Sequence, residues 1–213
     1  AVLDTLAGEI NRKAGLSIQI VYDDPKCFDS FMAHYGKFSG VQNYIALVGK
    51  KSPALEETLG YYGEELVLKA QELGLNTCWV ALTHGKSKAV VGKGEKEVCL
   101  IALGYGAVQG VEHKSKPLQE LCSCVGPMPE WFLSGMNAAM LAPTAMNQQK
   151  FRFELLPDGT VREEVCGTEV CFAELEEEEI LRYAASGEPL DKAGAYAVQG
   201  RAGAVVRSLH GRP

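Results

Sequence analysis

The stretch Ser52–Leu82, SPALEETLGYYGEELVLKAQELGLNTCWVAL, decides how the rest of the chain is read. Leu55, Leu59, Tyr62, Leu66, Ala70 and Leu73 recur at steps of three and four residues, with Val67 and Leu68 widening the stripe. That is the period of a helix with one buried face. Glu56, Glu57, Glu64, Glu65, Lys69 and Glu72 fall largely between them and belong to the solvent face. Ser52 is placed to cap the helix, Pro53 suits its first turn, and Gly74 sits where it should stop. Gly60 and Gly63 each cost a helix about 1 kcal/mol relative to Ala, so close approach of another element is expected at both. After Gly74 the chain becomes LNTCWVAL, with Cys78 and Trp79 just past the helix end. The pattern predicts a long, largely buried helix running into an apolar turn.

Around this helix the 213 residues have room for one large domain or a domain with a small partner. A net charge of −6 argues against a nucleic-acid backbone as the main partner. No run of about 18 apolar residues is present, so no membrane-spanning segment is expected. The first residues, AVLDTLAGEINRKAG, are amphipathic and unlike a secretory signal; they lack an initiating Met, and residues are expected upstream. The seven Cys are odd in number and dispersed, which fits a reducing, cytoplasmic setting better than a disulfide framework. Cys122-Ser-Cys124 has no His at ligand spacing, so no metal site is expected.

Strands are predicted at Leu16–Tyr22, Val41–Val48 and Val98–Leu103, and a first helix at Val2–Lys13. Cys27–Tyr35 reads as a short helix, His84–Gly94 as an exposed loop, and Gly110–Pro129 as a long connection carrying His113-Lys114-Ser115-Lys116. Glu130–Leu141 reads as a helix. Lys150–Leu156 alternates as a strand, with Phe151, Phe153 and Leu155 on one face. Asp158-Gly159 turns it back as Val161–Val165. Five carboxylates within Glu174–Glu179 open an acidic helix, and AGAVVRSL reads as a last strand.

Two stretches carry chemistry. In GMNAAMLAPTAMNQQKFRFEL (Gly135–Leu155), Pro143 ends a helix and Thr144, Asn147 and Gln149 present hydroxyl and amide groups before a strand. Such groups suit a heteroaromatic ring with carbonyl and N–H edges, or they satisfy the loop's own backbone. The segment resembles the Ala-Pro-Ser/Thr-x-x-Asn-x-Gln-Pro segment of FMN-dependent nitroreductases, with Lys150 in place of the Pro. GEELVLKAQELGLNTCWVAL likewise resembles the central helix and following loop of that family. The order of the two resembles a subgroup in which a single chain carries both halves of a dimer-like arrangement. The resemblance implies an FMN site with Trp79, Val80 and Ala81 near the ring and Pro143, Thr144, Asn147 and Gln149 on its polar edge. It also implies NADH or NADPH as reductant, an electron-poor small-molecule substrate such as a nitroaromatic or quinone, and a monomer or homodimer. No catalytic side chain is expected. The family's Arg-x-Ser-x-Arg segment, which holds the FMN phosphate, is not found in residues 1–50; Lys114, Lys116 and Lys150 are the candidates to replace it.

A third stretch, SGEPLDKAGAYAVQG (Ser186–Gly200), resembles the signature of the Maf family of nucleoside-triphosphate pyrophosphatases. By that resemblance Glu188 and Asp191 lie near a metal-bound nucleotide, with Lys192 and Gln199 facing phosphate or base. The Maf family's Ser-x-x-Arg-Arg and Asp-Thr-Val elements are not found, so the segment is expected to be an inactive remnant; pyrophosphatase activity or an inactive fusion is the alternative function. The expected fold is therefore α+β: a nitroreductase-like sheet around a central buried helix over residues 1–162, with a small appended Maf-like α/β segment over 163–213. Val170–Phe172 is expected to extend the Phe151–Leu155 sheet, and Gly187–Gly200 to pack loosely.

Overall fold

A computed structural model describes residues 1–29, 38–81, 83–144, 147–158, 161–162, 168–188 and 200–211. The chain divides into two compact units, Ala1–Val111 and Glu112–Pro213.

The first unit is built on a four-stranded antiparallel sheet in the order β1-β2-β4-β3. The strands are β1 (Gln19–Val21), β2 (Asn43–Lys50), β3 (Asn76–Val80) and β4 (Glu95–Gly104). Side chains alternate across a strand, so β2 serves two cores at once. Ile45 and Leu47 join Ile101 and Leu103 beneath helices α1 (Val2–Ala14) and α2 (Leu55–Glu72). Tyr44, Ala46 and Val48 join Leu100, Ala102 and Val80 on the opposite face, under Cys27 and Phe28 of a short 3-10 turn. A register shift between Leu47 and Val48 inserts an extra β4 residue, Val98, which joins Cys99 against the helix-side core.

Helix α2 buries Leu55, Leu59, Gly63, Leu66 and Ala70, so the predicted stripe is the buried face through most of its length. Leu68 and Leu73 are instead 59% and 40% exposed. Ser52 does not cap the helix: Ala54 occupies that position without a side-chain bond, and Ser52 gives only its carbonyl to Leu55 N. The other end follows the expectation. Gly74 takes a φ of 76°, Gly74 N–H donates to Gln71 O, and Leu75 N–H donates to Ala70 O. This paired reverse bonding closes a helix through a left-handed glycine. Gly63 is explained by close approach, because a Cβ there would lie 2.5 Å from Trp79 Cη2 and 3.1 Å from Leu47 Cδ1. Gly60 is not, since a Cβ there would meet nothing within 4 Å. The residues after Gly74 form the edge strand β3 rather than a turn, paired with β4 from Asn76↔Gly104 to Val80↔Leu100.

In the second unit, α3 (Leu118–Leu121) leads into β5 (Cys122–Cys124), which runs parallel to β6 (Phe153–Leu155). Strand β7 (Val161–Arg162) pairs antiparallel with β6, as the Asp158-Gly159 turn predicts. Phe132 and Met136 of α4 (Glu130–Leu141) form a core with Leu121, Cys122 and Leu155. β8 (Thr168–Phe172) does not extend this sheet. It pairs with β9 (Val206–Gly211), because the last strand supplies a longer partner, matched from Thr168↔Gly211 to Phe172↔Val206. Between them, α5 (Glu177–Ala185) opens with a capping box of Glu176 and Glu179. The loose packing expected for Gly187–Gly200 falls mainly on residues outside those described.

Candidate functional site

Pro143 lies just beyond α4, whose terminal Ala142 is extended. The polar loop that follows is held from within. Gln149 N–H donates to Thr144 Oγ1 at 3.0 Å, and Asn147 N–H to Thr144 O at 2.9 Å. Gln149 is 1% exposed; its Oε1 accepts from Lys116 N–H at 2.7 Å and its Nε2 donates to Met140 O at 3.4 Å. Asn147 Nδ2 donates to Lys114 O at 2.9 Å. In an extended chain the carbonyl of one residue and the N–H two residues on face the same side. The two amides therefore take the place of a neighbouring strand along Lys114–Lys116.

Asn147 and Gln149 adopt φ values of 51° and 47°. This left-handed conformation is costly for non-glycine residues, most of all for Gln, and such strain collects at functional sites. Among the described residues Asn147 Oδ1 accepts no hydrogen bond, and Lys114, Lys116 and Lys150 are in no ion pair. The ammonium of Lys116 reaches only Gln149 O, at 3.4 Å. Beside them, His113 Nε2 is buried with no hydrogen-bond partner among the described residues.

The other expected ring contacts belong to the first unit, where each can be placed individually. Trp79 is half-buried against Gly63, and its indole N–H donates to Glu64 Oε2 at 3.2 Å. Burial raises the Glu64 carboxyl above its ordinary value, and the Trp79 bond offsets part of that rise. Val80 is buried on the opposite face of the sheet, and Ala81 is exposed just beyond the strand. Sequence reasoning missed a cleft of about 810 Å³ near the start of β3 and the end of β4, lined in part by Tyr22, Asn43, Asn76, Cys78 and Tyr105. Its size suits a small molecule, and none of its described lining residues has a charged side chain. Only the tertiary structure gathers these residues, since they lie on or just beyond four different strands and no spacing links them.

Of the Maf-like candidates, Glu188 is described and Asp191, Lys192 and Gln199 lie outside the described residues. Both carboxylate oxygens of Glu188 accept from Arg201 N–H, at 2.9 and 3.1 Å, and Tyr183 Oη lies 3.5 Å away. Among the described residues no group of three His, Cys, Asp or Glu could hold a metal ion. No helix among them is long and apolar enough to cross a membrane.

A family model described as "Putative TM nitroreductase" matches residues 1–177. The chain belongs to this nitroreductase family. Among solved structures it is similar to one described as "a putative nitroreductase" of Thermotoga maritima, with 20% identity, a TM-score of 0.46, and coverage of 65% of this chain and 53% of that one. It is also similar to an FMN-dependent nitroreductase of Clostridium difficile, with 17% identity, a TM-score of 0.36, and coverage of 50% and 78%. Part of the chain matches curated dTTP/UTP pyrophosphatases, which bears out the Maf-like resemblance beside the nitroreductase family. The enzyme of Dechloromonas aromatica is 42% identical over 79 residues, 37% of this chain and 35% of that protein. The enzyme of Pectobacterium atrosepticum is 59% identical over 44 residues, 21% of this chain and 22% of that protein. The chain thus spans about a third or less of the length of these pyrophosphatases.

Proposed function

We propose that this nitroreductase-family chain is an FMN-dependent NAD(P)H oxidoreductase acting on electron-poor small molecules such as nitroaromatics or quinones. The observation that carries the reading is the left-handed backbone of Asn147 and Gln149, whose side chains are pinned to Lys114 and Lys116, while among the described residues Asn147 Oδ1 accepts no hydrogen bond and neither lysine is in an ion pair. A flavin supplies the hydride-accepting ring that links a nicotinamide to the acceptor.

The residues present fit such a group. Asn147 Oδ1 is an acceptor for a ring N–H, Thr144 carries a hydroxyl, and the lysines carry charge opposite to a phosphate. Gln149 holds the loop and is a positioning residue, since its amide is spent on Lys116 and Met140. No side-chain acid or base is needed in this reading; the protein's part is to bind, orient and exclude water. The reading places the nitroreductase-like part at residues 1–162 and the Maf-like part beyond it, in a cytoplasmic protein that is a monomer or homodimer.

The test is the visible spectrum and flavin fluorescence of the purified protein. Bound or titratable flavin is expected, and Asn147→Ala should weaken its retention by about 1–3 kcal/mol through lost and unsatisfied hydrogen bonds. Protein that neither carries nor binds flavin would refute the assignment.

A further inference from the structure

We infer that the cleft of about 810 Å³ beside the start of β3 binds an uncharged aromatic molecule that carries a carbonyl-type hydrogen-bond acceptor. The inference goes beyond the flavin reading and does not rest on it. Trp79, Val80 and Ala81, which the family resemblance assigns to a flavin ring, are not among the cleft's described lining residues. The cleft is reached instead from Asn76, at the other end of β3 and roughly 13 Å along the strand from Val80.

The lining has the chemistry of such a ligand. Tyr22, Leu73 and Tyr105 lie just beyond β1, α2 and β4, yet all three line this one cleft and are 53%, 40% and 84% exposed. Exposed apolar side chains scattered singly are ordinary, but several gathered at one place mark a binding groove. Behind them, Ala102 and Leu103 of β4 are buried and extend the apolar wall. The polar groups are few and neutral. Asn43 Oδ1 is occupied by Asp23 N–H at 3.2 Å, while among the described residues Asn43 Nδ2 and Thr77 Oγ1 make no hydrogen bond. Both can donate to a carbonyl oxygen. A largely apolar wall with a few placed donors is the usual construction of a small-molecule site. A charged ligand would lose its water here without meeting an opposite side-chain charge.

Both tyrosines are held in place by the fold itself. Tyr22 Oη donates to Asp4 Oδ2 of α1 at 2.8 Å. The segment after Tyr105 is folded onto β3: Gly106 N–H donates to Asn76 Oδ1 at 2.9 Å, and Asn76 Nδ2 donates to Gln109 Oε1 at 3.4 Å. The approach is so close that a Cβ on Gly106 would lie 3.0 Å from Asn76 Cγ. Walls fixed before a ligand arrives remove part of the ordering cost of binding.

The experiment titrates the full chain with prodan, an uncharged naphthalene ketone whose emission shifts in an apolar site. Alkylation of each cysteine by iodoacetamide is followed in parallel by mass spectrometry. Cys78 is exposed and lines the cleft, so it reports occupancy there. Saturable binding is expected, and at ten times its Kd prodan should slow Cys78 alkylation about tenfold, since only the empty cleft reacts. Cys171, in the second unit, should react at an unchanged rate. Tyr105→Ala removes a mostly exposed wall and should weaken prodan about three- to tenfold. In competition, methyl 2-naphthoate should displace prodan at least about tenfold better than the 2-naphthoate anion. It should also displace prodan at least about threefold better than 2-isopropylnaphthalene, which has no acceptor. Absence of saturable binding overturns the site, as does binding that neither protects Cys78 nor weakens in Tyr105→Ala. Equal displacement by the ester and either competitor overturns the ligand class. No readout involves flavin, so this inference and the flavin reading fail separately.

Discussion

Replacing Gly63 and Gly60 of helix α2 by Ala should change stability in opposite directions, although both sit in one helix three residues apart. In an unobstructed helix interior, Gly→Ala stabilises by up to about 1 kcal/mol, because Ala loses less backbone freedom on folding. At Gly60 nothing lies within 4 Å of an added Cβ, so that gain should be realised. At Gly63 the added methyl would lie 2.5 Å from Trp79 Cη2, 3.3 Å from Trp79 Cζ2 and 3.1 Å from Leu47 Cδ1. An ordinary carbon contact is about 3.5–4.0 Å, so the indole or the helix must give by about 1 Å. The indole is held by the β3–β4 pairing and the bond to Glu64 at 3.2 Å, and Leu47 is fully buried in β2. Overpacking of this kind costs about 1–3 kcal/mol. Set against the propensity gain, the expected net loss for Gly63→Ala is about 1 kcal/mol, which puts the two variants about 2 kcal/mol apart. Urea unfolding followed by far-ultraviolet circular dichroism measures both, independently of Trp79 fluorescence. Trp79→Leu should lower the cost of Gly63→Ala, because the shorter side chain vacates the contact. Equal stability of Gly63→Ala and Gly60→Ala would refute the close-approach argument.

Tyr44→Phe should destabilise by about 1–3 kcal/mol. The buried hydroxyl donates to Asp24 Oδ2 at 2.8 Å and accepts from Lys88 N–H at 2.8 Å, so its removal strips a bond from two groups; thermal unfolding would check it. Burial, the largest cause, pushes the Cys27 thiol from 9.0 up to about 11, so the folded chain holds that proton more tightly than the unfolded one. The associated stability is full below pH 9.0 and is lost as pH rises through about 11. Urea midpoints should therefore fall less on alkalinisation in Cys27→Ala than in wild type, and an equal fall would contradict the argument. Incubation with dTTP or UTP and Mg²⁺ should release no pyrophosphate, given the small share of a pyrophosphatase present and the commitment of Glu188 to Arg201. Release abolished by Lys192→Ala would reverse that expectation.

Period and punctuation alone determined much of this protein. The spacing from Leu55 to Ala70, the helix at Glu130–Leu141 and the turn at Asp158 are local facts, because helix period, capping glycine and turn residues act within a few positions of one another. The two nitroreductase-like stretches were legible as well, since each is a contiguous string. Partner choice and burial of individual atoms were left to the tertiary structure. Asn76–Val80 became an edge strand because β4 had an open side, and β8 paired with β9 because a complementary strand arrived late in the chain. Neither outcome is encoded in the segment itself, as strand pairing depends on what else lies alongside. The candidate site divides the same way. Thr144, Asn147 and Gln149 could be named from sequence, but their spending on Lys114, Lys116 and one another could not. Those bonds join residues 33 positions apart, and the fold fixes which amide atoms are consumed and leaves the two lysines in no ion pair among the described residues.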